Sequence, residues 1–528
     1  MTVNLRWYQE EAINSIYHYF MNNKGNPVIG LPTGSGKTLI PNVFMERVLK
    51  QWPNQKFMVV THIKELINQA YNNLLKIWPS APAGIYSAGI GRKDFINPII
   101  FAGIQSAVKQ PMLFGSRDII FVDEVHMVNQ DENSMYQNFL AVMKLINPNV
   151  KFIGLSATLY RMGQGQIVDG GLFTDVIYDM TDMEGFNKLI EQGYLLPLVP
   201  LRTRTQLDTS NVGISKGDFI LSELEKNVDV NEVTYEALRE AVEHGKDRKS
   251  WLIFSSGITH SDHISEMLQT FGVDCVSVHS KQSKEFNDNG IKAFKSGEIK
   301  ALSSYSKLTT GFDHPGIDLI IDLRPTMSVP LHVQKYGRGT RPVYADGFDL
   351  NTQEGRFAAI KASPKQNCLA LDYGKNTSRL GFINDPVIPR KKGEGTGETP
   401  VKVCDFCGVF NHIKNKTCTH CATEFSFEIK ITKTAGYQEL IKSDLPIMEF
   451  FEVDRVIYKK HQKSEVSTPC LKITYYTGIR SFNEWLFPQS MKGPGRHIFH
   501  SWWRQRSDVP PPSTVEDALA YCAHLRKP

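Results

Sequence analysis

Chemistry in this chain of 528 residues is most concentrated where glycines precede a lysine and a threonine: Leu31-Pro32-Thr33-Gly34-Ser35-Gly36-Lys37-Thr38. A glycine-rich turn that opens a helix aims backbone N–H groups and the positive helix end at phosphate oxygens. In such a loop Lys37 would reach the β- and γ-phosphates of a nucleotide, and Thr38 would hold Mg²⁺ through its hydroxyl. The strict pattern has glycine six residues before the lysine, where this chain has Leu31, so the loop alone is an incomplete match. Asp123-Glu124-Val125-His126 supplies what the loop lacks. It follows the apolar run Ile119-Ile120-Phe121-Val122, so its carboxylates emerge at the carboxyl end of a buried strand, where ligands of α/β sheets bind. There Asp123 would hold Mg²⁺ and Glu124 would orient or deprotonate an attacking water.

A second cluster is built for metal. Cys404-Asp405-Phe406-Cys407 and Cys418-Thr419-His420-Cys421 are two C-x₂-C knuckles separated by ten residues. Each turn puts two thiolates on one side of a tetrahedral site, and the pair closes it around Zn²⁺. His412 and His420 are read as solvated loop residues, because four cysteines complete the site. Cys275, Cys368, Cys470 and Cys522 are scattered and read as buried apolar positions. The pattern is a metal module in a reducing compartment, not a disulfide framework.

Positioning these groups requires strands and helices in alternation. Val28–Leu31, Phe57–Val60, Ile99–Phe101, Ile119–Val122 and Phe152–Leu155 are short runs rich in Val, Ile and Phe, as buried parallel strands should be. Between them lie amphipathic stretches such as Lys64–Trp78 and Met135–Ile146. The pattern restarts near Asn231, with Trp251–Phe254, Cys275–Val278, Lys300–Leu302 and Leu319–Asp322 alternating with helical His260–Phe271 and Ser283–Ser296, and ends at Cys368–Asp372. The expected fold class is α/β, with two tandem parallel-sheet domains. The expected boundaries are 1–190 for the first domain, 191–230 for a connection and 231–380 for the second domain. A charged, Gly-rich linker at 381–400, the four-cysteine module at 401–428 and a mixed α+β carboxy-terminal domain at 429–528 follow.

Composition sets limits. Hydrophobic residues make up 41% and charged residues 22%, which is ordinary globular usage and excludes general disorder. No apolar run approaches the ~20 residues that span a bilayer, so an integral membrane protein is excluded. The amino terminus lacks a signal core, which predicts a cytoplasmic protein. The net charge is +5, and all of the excess falls after residue 380. Residues 381–528 hold 21 basic and 16 acidic side chains, against 39 of each before them. In the tail, Trp485, Phe487, Phe499, Trp502 and Trp503 interleave with Arg480, Lys492, Arg496, Arg504 and Arg506. That mixture suits single-strand binding; the alternative is that the tryptophans are core of a small β-rich domain and the arginines are solvated. The expectation is core for most aromatics and strand contact for some arginines.

The motif series resembles superfamily 2 helicases. The resemblance covers residues 1 to about 375 and implies two RecA-like domains, with ATP and Mg²⁺ in the cleft between them and a nucleic-acid strand across their top. Arg6-Trp7-Tyr8-Gln9 resembles the adenine-reading segment, with Gln9 on the base, Arg6 and Tyr8 in the nucleotide site and the aromatics stacking nearby. Thr61-His62-Ile63-Lys64 and Gly103-Ile104-Gln105-Ser106 resemble strand-gripping motifs. The resemblance gives strand contacts to Thr61, His62, Lys64, Gly103, Gln105 and Ser106. Ser156-Ala157-Thr158, with His126 and Gln334, resembles the elements that couple hydrolysis to movement. Leu308-Thr309-Thr310-Gly311-Phe312-Asp313 resembles a motif touching both partners: Thr309 and Thr310 the strand, Gly311 and Asp313 the nucleotide. Gln334-Lys335-Tyr336-Gly337-Arg338-Gly339-Thr340-Arg341 resembles the arginine-finger helix, with Arg338 and Arg341 facing the γ-phosphate.

The order of helicase core, cysteine module and a segment like Leu471-Lys472-Ile473-Thr474-Tyr475-Tyr476 further resembles the bacterial RadD proteins, ATPases of recombinational DNA repair. The single four-cysteine cluster departs from that family's longer cysteine-rich insertion and fits a divergent or phage-encoded relative. The resemblance implies an ATP-dependent DNA helicase or translocase acting on single-stranded or branched DNA, with single-strand-binding or recombination proteins as partners. The other readings are the motor subunit of a restriction-type system, an ATP-switched clamp or annealing protein, and an RNA helicase.

Overall fold

The computed structural model describes residues 4–128, 134–161, 165–169, 172–201, 203–215, 217–305, 308, 312–387, 401–403, 409–412, 417, 423–424, 437–438, 452–462, 469–477, 480–489 and 494–526. They divide into two compact units, Met1–Leu445 and Pro446–Pro528.

The first unit begins with an eight-stranded sheet. Its strands are β1 (Pro27–Gly30), β2 (Phe57–Thr61), β3 (Ala83–Ser87), β4 (Arg92–Lys93), β5 (Ile99–Gly103), β6 (Ile119–Asp123), β7 (Lys151–Ser156) and β8 (Asp175–Asp179). They lie in the order β8-β1-β7-β6-β2-β5-β3-β4. Every pairing is parallel except the short β3–β4 edge. The inner strands are buried along almost their whole length and mostly apolar, with polar residues confined to their ends, as strands covered on both faces are. The helix Lys64–Ile77 turns Ile67, Ala70, Leu74 and Ile77 inward, at the spacing that puts residues on one helical face. Parallel register carries the chemistry to one edge: Gly30 pairs with Ser156, and Asp123 with Leu155. The phosphate loop, the Asp123-Glu124 turn and Ser156 therefore leave three adjacent strands on the same side.

A second, wholly parallel sheet follows, of β9 (Leu198–Pro200), β10 (Trp251–Phe254), β11 (Cys275–Ser277), β12 (Ala301–Ser304), β13 (Leu319–Asp322) and β14 (Cys368–Asp372), in the order β9-β14-β13-β10-β12-β11. The stretch 191–230, expected as a connection, supplies its edge strand: Leu198, Val199 and Pro200 pair with Cys368, Leu369 and Ala370. A three-residue strand carries too little periodicity to be read alone. The second domain also continues past residue 380, through the hairpin pairing of Gly381 and Phe382 with Pro386 and Asp385. One apolar cluster runs through both domains, from Tyr8, Leu31 and Tyr194 to Leu198, Val333 and Tyr336.

Beyond residue 400 the described backbone frames the cysteine knuckles. β15 (Val401–Val403) pairs antiparallel with β16 (Val409–His412), and β17 (Tyr437–Gln438) pairs with β16. That third strand crosses the boundary expected at 428/429. Cys404 and Cys407 lie between the paired residues Val403 and Phe410, and Cys418 and Cys421 lie between the bridged pair Thr417 and Glu424. The cysteines themselves, His420, most of the 381–400 linker, Thr309, Thr310, Gly311 and Lys492 lie outside the described residues, as do the side chains of His412, Arg480 and Arg496.

The second unit is an antiparallel sheet of β18 (Arg455–His461), β19 (Cys470–Thr477) and β20 (Arg480–Leu486), with helices Pro494–Arg504 and Val515–Tyr521. Its core is Leu471, Ile473 and Leu486 against Phe499, Trp502, Trp503, Val515 and Ala518. Three of the tail aromatics are thus core, whereas Trp485 (46%) and Phe487 (38%) are exposed.

One buried ion pair locks the second domain. Lys335, on the helix Val329–Gly337, donates to both oxygens of Asp322 at 2.7 and 2.6 Å and to the Arg324 carbonyl at 2.9 Å. Asn376 Nδ2 donates to Asp322 Oδ2 at 2.9 Å. Neither charged side chain has any exposure. Lys335→Met should lower stability by about 3–5 kcal/mol, because it strands a buried carboxylate. Lys335→Met with Asp322→Leu should recover much of that loss, both read from denaturant midpoints of the second domain's transition.

Candidate functional site

The phosphate loop turns at two glycines with positive φ, Gly34 (92°) and Gly36 (83°). Side chains would not fit there: a Cβ on Gly36 would lie 2.5 Å from Gln9 Nε2, and one on Gly34 2.8 Å from Arg341 Cγ. The second clash already shows that the arginine-bearing segment of the other domain reaches this loop. Thr340 Oγ1 donates to the Thr33 carbonyl at 3.5 Å.

Lys37 points at the carboxylates. Its ammonium donates to Glu124 Oε1 at 3.1 Å and lies 3.5 Å from Asp123 Oδ1. Burial opposes the ammonium, yet Glu124 and Asp123 hold it above the ordinary lysine value. Burial pushes Asp123 up; burial works against Glu124 as well, but Lys37, His126 and Arg338 hold that carboxyl below its ordinary range. Glu124 has φ 53° and ψ 51°, the left-handed region, which costs a non-glycine residue about 1–2 kcal/mol. The strain turns the chain sharply after β6, so that consecutive carboxylates face one cleft.

That cleft, of about 70 Å³, is lined by Thr33, Lys37, Thr38, Asp123 and Glu124 from the first domain and Asp313, Gln334, Arg338 and Arg341 from the second. Arg341 pairs with Asp313, and Arg338 donates to the Phe312 carbonyl. Burial pushes both guanidiniums down to about 10, still charged at neutral pH. Leu66, at the end of the Thr61–Leu66 motif, and Gln69, one turn further along the helix and outside any motif, also line the cleft. Thr38 and Asp123 face the same space with oxygen ligands suited to Mg²⁺. A larger cavity, of about 620 Å³, lies between helices Asn231–His244 and Ile258–Thr270 and contains none of these residues.

The adenine-reading segment is more internal than expected. Tyr8 is fully buried and donates to the Ser35 carbonyl at 2.6 Å, so its ring is core and not a stacking surface. Gln9 spends its amide within the fold: Nε2 donates to the Ser35 carbonyl at 2.9 Å, and Oε1 accepts from the Arg6 N–H at 3.0 Å. The aromatic element sequence reading missed is Tyr194. Two guanidinium carbons lie over its ring, Arg6 at 5.2 Å and Arg356 at 4.0 Å from the centroid, one from each domain.

His126 joins the halves. Ser156 Oγ donates to the Thr158 carbonyl at 2.6 Å, so the 3.0 Å contact between His126 Nδ1 and Ser156 Oγ must be a donation from Nδ1–H. Nε2 is then free to accept from the Gln334 amide at 3.2 Å, across the cleft.

Of the residues expected to grip a strand, Thr61 is buried and its hydroxyl accepts from the Ile63 N–H at 3.4 Å. Gln105 donates to the His62 carbonyl at 3.0 Å, and Ser106 accepts from the Ala88 N–H at 3.0 Å. Burial holds the His62 imidazole below its ordinary value. Gly103 ends β5, beside Thr61 in register. Lys64 does face open space: with Glu65 and Asn68 it forms one wall of a groove of about 390 Å³, opposite Ser280, Gln282 and Lys284 of the second domain.

Comparison with known proteins agrees with this geometry. Residues 2–161 match the family "Type III restriction enzyme, res subunit", and residues 233–342 match "Helicase conserved C-terminal domain". A protein of Saccharomyces cerevisiae named "Putative ATP-dependent helicase IRC3" is 27% identical over 64% of this chain and 49% of its own length. A "51.5 kDa protein" of a Lactococcus phage is 23% identical over 78% of this chain and 81% of its own. This chain therefore spans about half the length of the yeast relative. Among solved structures, a fragment described as a putative HsdR subunit of a type I restriction enzyme from Vibrio vulnificus shares the fold, with TM-score 0.52, 18% identity, and coverage of 73% of this chain and 68% of that one. No helix among the described residues is long and apolar enough to cross a membrane.

Burial pushes the His126 imidazole down to about 4. The ring should therefore stay neutral from pH 8 to pH 5, while an unfolded chain takes up its proton near 6.5, so this residue's contribution to stability falls as pH drops from about 6.5 to 4. Nitrogen-15 spectra of histidine-labelled protein should show His126 as the Nδ1–H tautomer at pH 7; a charged ring at pH 6 would contradict the assignment.

Proposed function

From a chain that carries the paired domains of a superfamily 2 helicase, we propose an ATP hydrolase stimulated by nucleic acid, which uses closure of the cleft to move along or remodel DNA. The observation that carries this reading is the shared cleft, where Lys37, Asp123 and Glu124 of one domain meet Arg338 and Arg341 of the other. Backbone N–H groups of Gly34 to Lys37 hold the phosphates, and Lys37 exchanges its Glu124 partner for a phosphate oxygen. Released from the ammonium, the Glu124 carboxylate orients water for attack. Thr38 and Asp123 would hold Mg²⁺, which would supply positive charge against the phosphate oxygens. Arg338 and Arg341 stabilise the negative charge that builds up in the transition state.

Because neither half is complete alone, contacts to the γ-phosphate bias the two domains toward closure and its loss releases them. The His126–Gln334 hydrogen bond spans that joint, and the groove between Lys64 and Lys284 offers a strand a path over both domains. A role in DNA repair of the RadD kind rests on motif order and the carboxy-terminal segment. A second reading, the motor subunit of a restriction-type system, is favoured by the res-subunit match over residues 2–161. Turnover should rise with single-stranded or forked DNA and fall by at least a hundredfold in Lys37→Ala and Arg338→Ala. Undiminished stimulated turnover in either variant would refute the shared cleft, and a preference for RNA would overturn the DNA reading.

The cysteine module belongs to the same proposal, as a structural Zn²⁺ site. Paired residues bracket each C-x₂-C segment, Val403 with Phe410 and Thr417 with Glu424, which suits two knuckles closing one tetrahedron. Purified protein should contain one zinc per chain, and Cys404→Ser with Cys407→Ser should lose it; a metal-free native chain would exclude the site.

A further inference from the structure

The two described helices of the second unit cover one face of its sheet. Alternation along the strands sends Val456, Tyr458, Leu471, Ile473 and Leu486 to the side covered by the two helices, where they form the core with Trp502 and Trp503. The residues between them in sequence point the other way. They include Arg455 and Lys459 on β18, Lys472 and Tyr476 on β19, and Trp485 on β20. Across all three strands, that face carries no aspartate or glutamate.

Its aromatics are laid out as a platform. Lys472 and Trp485 are cross-strand partners, and the Lys472 ammonium lies 5.8 Å from the indole centroid. Arg455 and Tyr476 are also partners, with the guanidinium 4.6 Å from the phenol ring. Each ring is thus held beside a cation instead of being buried, and the indole is 46% exposed. Residues 472 and 476 are four apart on one strand, which separates the two aromatic–cation pairs by about 14 Å. Between them, Thr474 Oγ1 donates to Asn483 Oδ1 at 2.8 Å, a neutral polar pair.

We propose that this face binds single-stranded nucleic acid, with bases stacking on Trp485 and Tyr476 and the phosphates following Arg455, Lys459 and Lys472. Every base has a flat apolar face to stack, and the backbone needs cations without competing carboxylates. This face offers both. The site is separate from the ATP cleft and does not require the motor to work.

The test uses the full chain with 20-nucleotide dT and U oligomers carrying 5-iodouracil, followed by photocrosslinking and peptide mapping. Adducts are expected at Trp485 or Tyr476, and they should persist in Lys37→Ala, which disables the motor without touching this face. In fluorescence anisotropy, Trp485→Ala should weaken binding on the order of tenfold, and Trp485→Phe should restore most of it. Lys459→Gln with Lys472→Gln should reduce the slope of log affinity against log salt by about 1.4. Basal ATP turnover should not change in the Trp485 variants or in Lys459→Gln with Lys472→Gln. Adducts confined to residues 1–445, with affinity and slope unaltered, would overturn the proposal. Equal retention of poly-glutamate would overturn it too, by assigning the face to an acidic protein segment.

Discussion

Buried charge has to be neutralised, and in this molecule that requirement holds the two parallel-sheet domains together. Lys37, Arg338 and Arg341 are withdrawn from water in one small cleft, facing Asp123, Glu124 and Asp313. Cations and anions balance there, so each charge has an internal partner: Lys37 with Glu124 and Asp123, Arg341 with Asp313. Inside a protein such pairs are strong because little water screens them. A polyphosphate entering with a divalent cation can exchange these partners without leaving a charge stranded. The same arrangement that keeps the cleft intact makes it responsive to nucleotide.

The rest of the second domain serves the placement of two arginines. They follow directly on the helix whose Lys335 is tied to Asp322, and Asp322 ends a central strand beside Asp372. A helix free to rotate by a few degrees would carry its guanidiniums away from the phosphate loop, and a buried ion pair with two further hydrogen bonds prevents that. On the first domain the corresponding constraint is backbone strain at Glu124. Rigid placement on both sides leaves the joint itself, spanned by His126 and Gln334, as the part that can change.

The sequence was informative wherever local chemistry has a single solution. Buried parallel strands must be short apolar runs, and β1, β2, β5, β6 and β7 coincide with such runs, whereas β3, with its mixed Ala83–Ser87, was not legible. A phosphate loop needs glycines at fixed offsets, and Gly34 and Gly36 adopt the backbone angles only glycine tolerates well. What was hidden depends on pairing between distant segments. Tyr8 has the composition of a stacking residue, yet its neighbours bury it. Trp485 and Trp502 look alike in a basic tail; only the register of β20 against β19 sends one outward, while the helix places the other in the core. Leu198–Pro200 reads as a linker until β14 is beside it, and Lys335 reads as a surface charge until Asp322 is known to lie opposite.

That edge strand, β9, has a consequence for how the motor works. The first sheet ends at β8 (Asp175–Asp179) and Leu198 already belongs to the second sheet, so the chain crosses from one sheet to the other within Met180–Pro197, a stretch that contains the helix Met183–Glu191. A tether this short keeps each lobe at a high effective concentration relative to the other, in the millimolar range typical of short linkers. Docking is then nearly free of the entropic penalty that two separate molecules would meet. Under the proposed function, a few modest contacts would suffice to shut the joint, and an equally modest loss, such as one departing phosphate, would let it open.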